Sequence, residues 1–265
     1  MQKQFADIHG KRIAYHKQGE GPVVVLLHGF CGSLLYWEAV MNQLAERYTV
    51  IAPDLRGHGD SWSPVGTYTM ESFADDLRDL LHHLHVDRIS LFGHSLGGYI
   101  SLAFASRYQI WLDHLGLIHS TSLPDDEQGK LNRATGIKTI EEQGITPFVD
   151  QLITKLCAPG FLSQNPKWEE EIKQMGYETT PEGAIHSLAG MKDRPDRTSV
   201  IEELSCPILL MAGSEDKVIP LQKTFLVHRE NVTTVLLEGS GHMGMIETPQ
   251  QWLTAVTSFL EQSKK

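Results

Sequence analysis

The chain has 265 residues, a formal net charge of -10, and 41% hydrophobic and 21% charged residues. This composition is ordinary for a globular domain and excludes a chain that is mostly disordered. The acidic balance argues against partners that are nucleic acids or anionic membranes, because both need clustered Lys and Arg. We therefore expect a small-molecule partner, and small neutral or uncharged substrates suit this charge best.

The cysteines and the apolar runs bear on the compartment. Cys31, Cys157 and Cys206 have no metal-ligand spacing and form no even disulfide framework. Residues 1–10 lack an apolar segment behind a basic start, and the longest apolar run, 23–27, is far too short to cross a bilayer. We expect reduced thiols in a soluble cytoplasmic protein, and the sequence carries no signal for its oligomeric state.

Strand and helix patterns alternate along the first part of the chain. Residues 5–8 and 12–16 predict a β-hairpin, and 22–27 is an apolar, β-branched run typical of a strand buried on both faces. Further along, the patterns predict a helix over 34–47, a strand over 49–52, a helix over 70–84 and a strand over 115–119. Short connections in this order predict a doubly wound, mostly parallel sheet, in which ligands bind beyond the carboxyl ends of the strands.

The stretch 88–100 predicts a strand that stops at Gly93, turns around Ser95 and enters a helix at Gly97. The two glycines omit side chains that would collide in so tight a turn. The serine hydroxyl then lies at a helix N-terminus, where backbone N–H groups and the helix dipole favour negative charge. The pattern predicts a nucleophile, and the alternative is a Gly-rich turn whose serine only caps the helix.

From residue 120 to 199 the strand pattern disappears. The helical stretches in this range lie near 125–143, 146–156, 167–175 and 181–191. They predict a helical lid inserted over the strand ends, between the two parts of an α/β core at 1–119 and 200–265. The alternating pattern then resumes with a strand over 207–212, a helix to about 227, a strand over 233–237 and a helix over 249–261.

A serine nucleophile needs a base within hydrogen-bond reach, and a carboxylate must orient that base. In enzymes whose nucleophilic serine lies in such a strand–turn–helix motif, the three follow in the order serine, acid, histidine. Asp216 lies three residues past the strand-ending Gly213, and His242 lies in a Gly-rich loop after the last strand. We predict a Ser95, Asp216 and His242 triad, with Glu215 as the competing carboxylate and helix capping as the other role for Asp216.

The oxyanion of a tetrahedral intermediate also needs donors. The backbone N–H groups of Phe30 and Leu96 are the predicted pair, each worth about 3 kcal/mol of barrier. Because these donors are backbone groups, both side chains are free to shape an apolar pocket. The further residues predicted to line that pocket are Trp37, Met191, Val218 and Met243.

Taken together these motifs resemble the α/β-hydrolase superfamily, in its esterase, lactonase and haloperoxidase-like branch. The segments that carry the resemblance are HGF at 28–30, DLRGHGDS at 54–61, GHSLGG at 93–98, the acid loop at 213–220 and GH at 241–242. The resemblance covers nearly the whole chain and is specific for fold and triad, but not for substrate. It implies an α/β-hydrolase fold with an inserted helical lid.

The resemblance also separates this chain from related enzymes. Haloalkane dehalogenases and epoxide hydrolases of this fold carry an aspartate in the turn where this chain has Ser95, so Ser95 argues against both. The segment 191–198 resembles the junction of lid and core in the enol-lactonase and small-carboxylesterase subgroup.

The expected function is therefore a serine hydrolase of small carboxylic esters or lactones, working through an acyl-enzyme, with no cofactor and no metal. The alternatives are a C–C bond hydrolase or perhydrolase of the same fold, a ligand sensor with slow turnover, and a metal hydrolase built on Asp54, His58 and Asp60. His28 and His94 are expected to bond to backbone groups rather than to act as second bases.

Overall fold

The computed structural model describes residues 2–262. Within this range the strands are β1 Gln4–Ile8, β2 Lys11–Gln18, β3 Val23–Leu27, β4 Thr49–Pro53, β5 Ile89–His94, β6 Leu112–Ile118, β7 Ile208–Gly213 and β8 Val232–Leu237. They form one sheet in the order β1-β2-β4-β3-β5-β6-β7-β8. The pairs β1/β2 and β2/β4 are antiparallel, and all later neighbours are parallel. The predicted mostly parallel α/β sheet is confirmed.

Helices alternate with the strands and cover the sheet. The α-helices are α1 Glu38–Ala45, α2 Met70–His83, α3 Leu96–Tyr108, α4 Glu127–Gln143, α5 Ile145–Ile153, α6 Phe161–Gln164, α7 Pro166–Tyr177, α8 Pro181–Lys192, α9 Thr198–Glu203, α10 Leu221–Thr224, α11 Gly244–Glu247 and α12 Pro249–Gln262. Short 3-10 turns occupy Leu34–Trp37 and Gln109–Trp111. None of the helices between residues 2 and 262 has the length and apolarity needed to span a bilayer.

Two apolar clusters lie on opposite faces of the sheet. On one face α2 buries Phe73, Leu77 and Leu80 at helical spacing, and α3 packs beside it. On the other face α1 and α12 meet, with Trp37 and Trp252 in contact. Because both faces are covered, the accessible functional groups of the sheet lie at the ends of its strands.

Residues 120–199, here called the inserted segment, contain helices α4 to α8 and no strand among the described residues. Gly136 on α4 brings the helix close to Phe148 on α5 and to Leu188 on α8, since a Cβ added there would lie 2.9 Å and 3.3 Å from their side chains. The segment thus packs as a layer of helices. These helices contribute much of the lining of the cavity described below.

The helix that follows the acid loop is shorter than its sequence pattern predicts. The helix expected to run to about 227 ends at Thr224. The Thr121 hydroxyl donates to the Lys223 carbonyl oxygen at 2.5 Å, so a side chain from the inserted segment binds the end of the helix. Such a contact between distant segments has no signature in local periodicity.

Candidate active site

Ser95 lies in the turn between β5 and α3, with backbone angles of φ 51° and ψ -111°. A non-glycine residue rarely adopts this left-handed region, and such strain is typical of functional positions. The turn is held by the Ser95 N–H, which donates to the Ile118 carbonyl at 2.9 Å. A Cβ at Gly93 would lie 2.1 Å from the Gly97 carbonyl oxygen, and one at Gly97 would lie 2.4 Å from the Leu27 carbonyl oxygen. The glycines therefore let β5, β3 and α3 approach closely enough to present the serine.

Asp216 and His242 form a buried hydrogen-bonded pair. His242 Nδ1 lies 2.8 Å from Asp216 Oδ2, and the Asp216 Oδ1 accepts the backbone N–H groups of Val218 at 2.8 Å and Ile219 at 2.9 Å. Burial alone would raise the pKa of Asp216. The nearby His242 and the hydrogen bonds from two histidines outweigh burial and hold that pKa well below its usual range. The carboxylate is therefore ionised and fixed in orientation.

His119, at the end of β6, is the second of these histidines, and the sequence motifs assigned it no role. Its Nδ1 lies 3.1 Å from the same Asp216 Oδ2, and its Nε2 accepts the Gly244 N–H at 3.3 Å. Burial lowers the pKa of His119 despite the adjacent Asp216 carboxylate, so the ring is neutral at neutral pH. The hydrogen-bond network thus assigns the proton to Nδ1, which donates to Asp216.

His119, Asp216 and His242 also bring their ligand atoms within 4.8 Å of one another. Two imidazoles and a carboxylate are a common metal donor set. A metal ion bound to Nδ1 of both histidines would need both Nδ1 atoms to be free of a proton. His119 accepts the Gly244 N–H on Nε2, so its proton is on Nδ1 and that atom has no lone pair for a metal ion. The donors therefore fit an acid–histidine pair better than a cation.

Two further histidines bond to the backbone, as expected. His94 Nε2 lies 2.8 Å from the carbonyl oxygen of His242. His28 accepts the Leu55 N–H on Nε2 at 2.9 Å and donates from Nδ1 to the Gly29 carbonyl at 2.7 Å. Burial lowers the pKa of His28 to about 3 and that of His94 well below its ordinary value. Both rings are neutral, and their hydrogen bonds hold the backbone around the site.

The loop expected to bind the oxyanion follows β3 and is tied to the loop after β4. Asp54 is the link, since Oδ1 accepts the Leu34 N–H at 2.7 Å and Oδ2 accepts the Asp60 N–H at 3.0 Å. Asp54 thus has a structural partner for each oxygen, which weakens the metal-hydrolase alternative. Leu96 begins α3, so its N–H is one of those that a helix leaves without an internal partner.

Ser95 and His242 face one cavity of about 690 Å³, within the size range of small-molecule sites. Phe30, Met191 and Val218, three of the residues predicted to shape the substrate pocket, lie in the lining of this cavity. Most of the other lining residues belong to the inserted segment. That segment is tied to the histidine loop, because the His242 N–H donates to the Leu156 carbonyl at 2.6 Å and the Ala158 N–H donates to Glu247 Oε2 at 2.7 Å.

Two residues predicted to line the pocket lie elsewhere. Trp37 is fully buried in the core, with its ring centroid 5.7 Å from that of Trp252. Met243 is also fully buried in the same core cluster. Neither residue is part of the cavity lining formed by residues 2–262. The Leu96 side chain likewise packs into the core. The expectation failed because proximity to a site residue in sequence does not fix which side of the backbone a side chain packs on.

Comparison with known proteins defines the class. Residues 22–249 match the model of the alpha/beta hydrolase fold family, and the chain therefore belongs to that family.

Among its relatives, a thermophilic esterase from Thermogutta terrifontis, solved with malate bound, superposes with a TM-score of 0.93 at 31% identity over 100% of both chains. The 3-oxoadipate enol-lactonase 2 of Acinetobacter baylyi is 27% identical over 92% of this chain and 90% of its own length. A soluble epoxide hydrolase of Corynebacterium sp. is 30% identical over 92% of each chain. The resemblance inferred from the motifs is confirmed at the level of family and fold.

Proposed function

We propose that this chain is a serine hydrolase that cleaves small carboxylic esters or lactones through an acyl-enzyme. The observation that carries the proposal is the buried His242–Asp216 pair at 2.8 Å, facing the same cavity as the strained Ser95. The esterase and enol-lactonase relatives support the same class of reaction. The inserted segment, 120–199, acts in this proposal as a lid over the core at 1–119 and 200–265.

The chemistry proceeds in two halves. His242 Nε2 takes the hydroxyl proton as Ser95 Oγ attacks the carbonyl carbon, and the N–H groups of Phe30 and Leu96 stabilise the oxyanion. The tetrahedral intermediate collapses, the C–O bond to the leaving alcohol breaks, and the imidazolium returns its proton to that alcohol. Water then attacks the acyl-enzyme with His242 again as base, releasing the acid and free Ser95. For a lactone the alcohol and acyl groups stay on one molecule.

The epoxide hydrolase relative is the contrasting case. Opening an epoxide through an alkyl-enzyme ester requires a carboxylate nucleophile, and Ser95 stands at that position here. A serine hydroxyl with a histidine base suits acyl transfer. We therefore assign acyl chemistry to this site despite the 30% identity with that relative.

The test is hydrolysis of p-nitrophenyl esters from acetate to decanoate by the wild-type chain and by Ser95→Ala. We expect an early burst of p-nitrophenol and a fall of about 10⁴-fold or more in kcat for the variant, the scale seen when a triad nucleophile is lost. The optimum chain length measures the pocket. An unchanged rate in a folded Ser95→Ala variant would contradict the triad.

The alternatives are separated by this assay together with two variants of it, one with added peroxide and one with a β-diketone-like substrate. A slow-turnover sensor releases one equivalent of product and then stops, whereas an esterase continues. A perhydrolase adds peroxide-dependent peracid formation, and a C–C hydrolase shows turnover only with β-diketone-like substrates.

The cytoplasmic location of the protein also stays a prediction from composition.

A further inference from the structure

The charge of the cavity is opposite to that of the chain. Its lining carries five cationic side chains and two anionic ones, although the chain as a whole has a net charge of -10. The cationic members are Arg133, Lys155, Arg194, Lys217 and Lys223, and the anionic members are Asp125 and Asp126. Net charge alone favoured neutral substrates, but the charges that meet a substrate are these local ones.

Arg194 is the deepest of these cations, with its side chain only 5% exposed. Its Nη1 donates to the Met191 carbonyl at 2.7 Å and lies 2.7 Å from Asp125 Oδ1. The guanidinium carbon lies 4.0 Å from the centroid of the Tyr99 ring. Its buried Nε has no hydrogen-bond partner among residues 2–262. The side chain is therefore held in place with donor capacity left over.

Asp125 balances the charge of only one of the two arginines that contact it. Arg133 Nε lies 3.1 Å from Asp125 Oδ2, so the single carboxylate is shared by two guanidinium groups, one on each oxygen. The arrangement leaves one surplus positive charge in a place largely shielded from water. Because an unpaired buried charge is costly, an anion in the cavity would be bound strongly.

The surplus charge lies within reach of the nucleophile. The Arg194 guanidinium packs over the ring of Tyr99. Tyr99 follows Ser95 by four residues in α3, which is a rise of about 6 Å along the helix. Both residues line the same cavity. A substrate with its ester carbonyl at Ser95 therefore has room to place a second polar group near Arg194.

We propose that the preferred substrates are half-esters of dicarboxylic acids, whose free carboxylate binds at Arg194 beside Tyr99. This inference rests on the proposed ester hydrolysis at Ser95. Arg194 is a specificity determinant in this assignment: its planar guanidinium suits a carboxylate, and its ion pair with Asp125 orients it. Lys217 on the acid loop adds to the local positive field, whereas Lys223 on α10 is paired with Asp126, its Nζ lying 3.2 Å from Oδ2.

The test compares each half-ester with a neutral twin of the same length. The methyl half-esters of glutaric and adipic acid are assayed against the same methyl esters with a terminal carboxamide, and the readout is the ratio of the two kcat/KM values. We expect the wild-type ratio to exceed about 10 in favour of the carboxylate, from one charge-assisted hydrogen bond. Arg194→Gln should bring the ratio near 1, and Arg194→Lys should give a value between.

A general loss of activity in a variant lowers both kcat/KM values and leaves their ratio unchanged. Lys138→Gln is the matched control, because Lys138 is an exposed cation on α4 that does not line the cavity. If Arg194→Gln does not fold, inhibition of wild-type hydrolysis of the neutral ester by adipate is compared with inhibition by the diamide. Stronger inhibition by adipate supports the inference, and equal inhibition overturns it.

A wild-type ratio of 1 or less overturns the inference while ester hydrolysis itself stands. A high ratio that persists in folded Arg194→Gln overturns the role of Arg194 and leaves the arginine as a structural clamp on Asp125. Absence of turnover with both esters, or turnover that survives Ser95→Ala, overturns the proposed function and this inference with it.

Discussion

Asp216 Oδ2 receives two histidine donors, His242 at 2.8 Å and His119 at 3.1 Å, while Oδ1 receives two backbone N–H groups. All of the carboxylate's bonds are made by groups that its loop and two neighbouring loops supply. His119 touches no substrate in this arrangement. Under the proposed mechanism it is a positioning residue, because it fixes the acid that in turn orients the base.

We predict that His119→Ala lowers kcat about 10-fold with little change in KM, because Asp216 loses one of its fixed donors. His119→Asn should restore most of the activity, since the Asn Nδ2 can occupy nearly the position of the His Nδ1 donor. Steady-state kinetics of both variants on one ester checks this. If the two variants are equally impaired, His119 acts by filling space rather than by donating.

At the scale of elements, the strand ends and the nucleophile turn follow from local rules. The apolar run of β3, the period of α2 and the glycines around Ser95 each depend on residues a few positions apart, so the sequence predicted them. Trp37 and His119 depend instead on which distant element packs against them. His119 ends the strand predicted at 115–119, so the strand-end rule could have drawn attention to it, but only the fold brings it next to Asp216.

The approach of α3 to β3 gives a prediction for the nucleophile turn. Gly97→Ala should destabilise the protein by about 3 kcal/mol or more, because its Cβ would lie 2.4 Å from the Leu27 carbonyl oxygen, and backbone cannot move aside cheaply. Gly129→Ala in α4 is the control, since its Cβ meets side-chain atoms at 3.0 Å or more. Urea unfolding followed by circular dichroism checks both, and equal stability of the two variants would contradict the account.

At the scale of the whole molecule, Asp216 links the site to stability against acid. Its pKa is lowered on folding, so its stabilising contribution is present above the unfolded value of about 3.9 and is lost as the pH falls toward the folded value. Below about pH 3.9 the unfolded chain binds a proton that the folded chain does not, and this term falls by about 1.4 kcal/mol per pH unit.

We predict that the stability difference between wild type and Asp216→Asn shrinks with this slope as the pH falls below 4. Urea unfolding at pH 7, 5, 4 and 3 measures it, and the other carboxylates cancel in the difference. Asp193→Asn, at a side chain 68% exposed, is the control for loss of a carboxylate. A difference between wild type and Asp216→Asn that stays constant from pH 7 to 3 would mean that folding does not lower this pKa.

The bond from the His242 N–H to the Leu156 carbonyl joins the inserted segment to the proposed base. If the inserted segment acts as the proposed lid and moves away at Leu156, this bond breaks and His242 is held less firmly. Under the proposed function, the conformer that admits a ligand most freely is then also the one least prepared to act on it. A substrate that draws the inserted segment toward the core would at the same time strengthen the hold on the base, so closure and catalytic readiness would rise together.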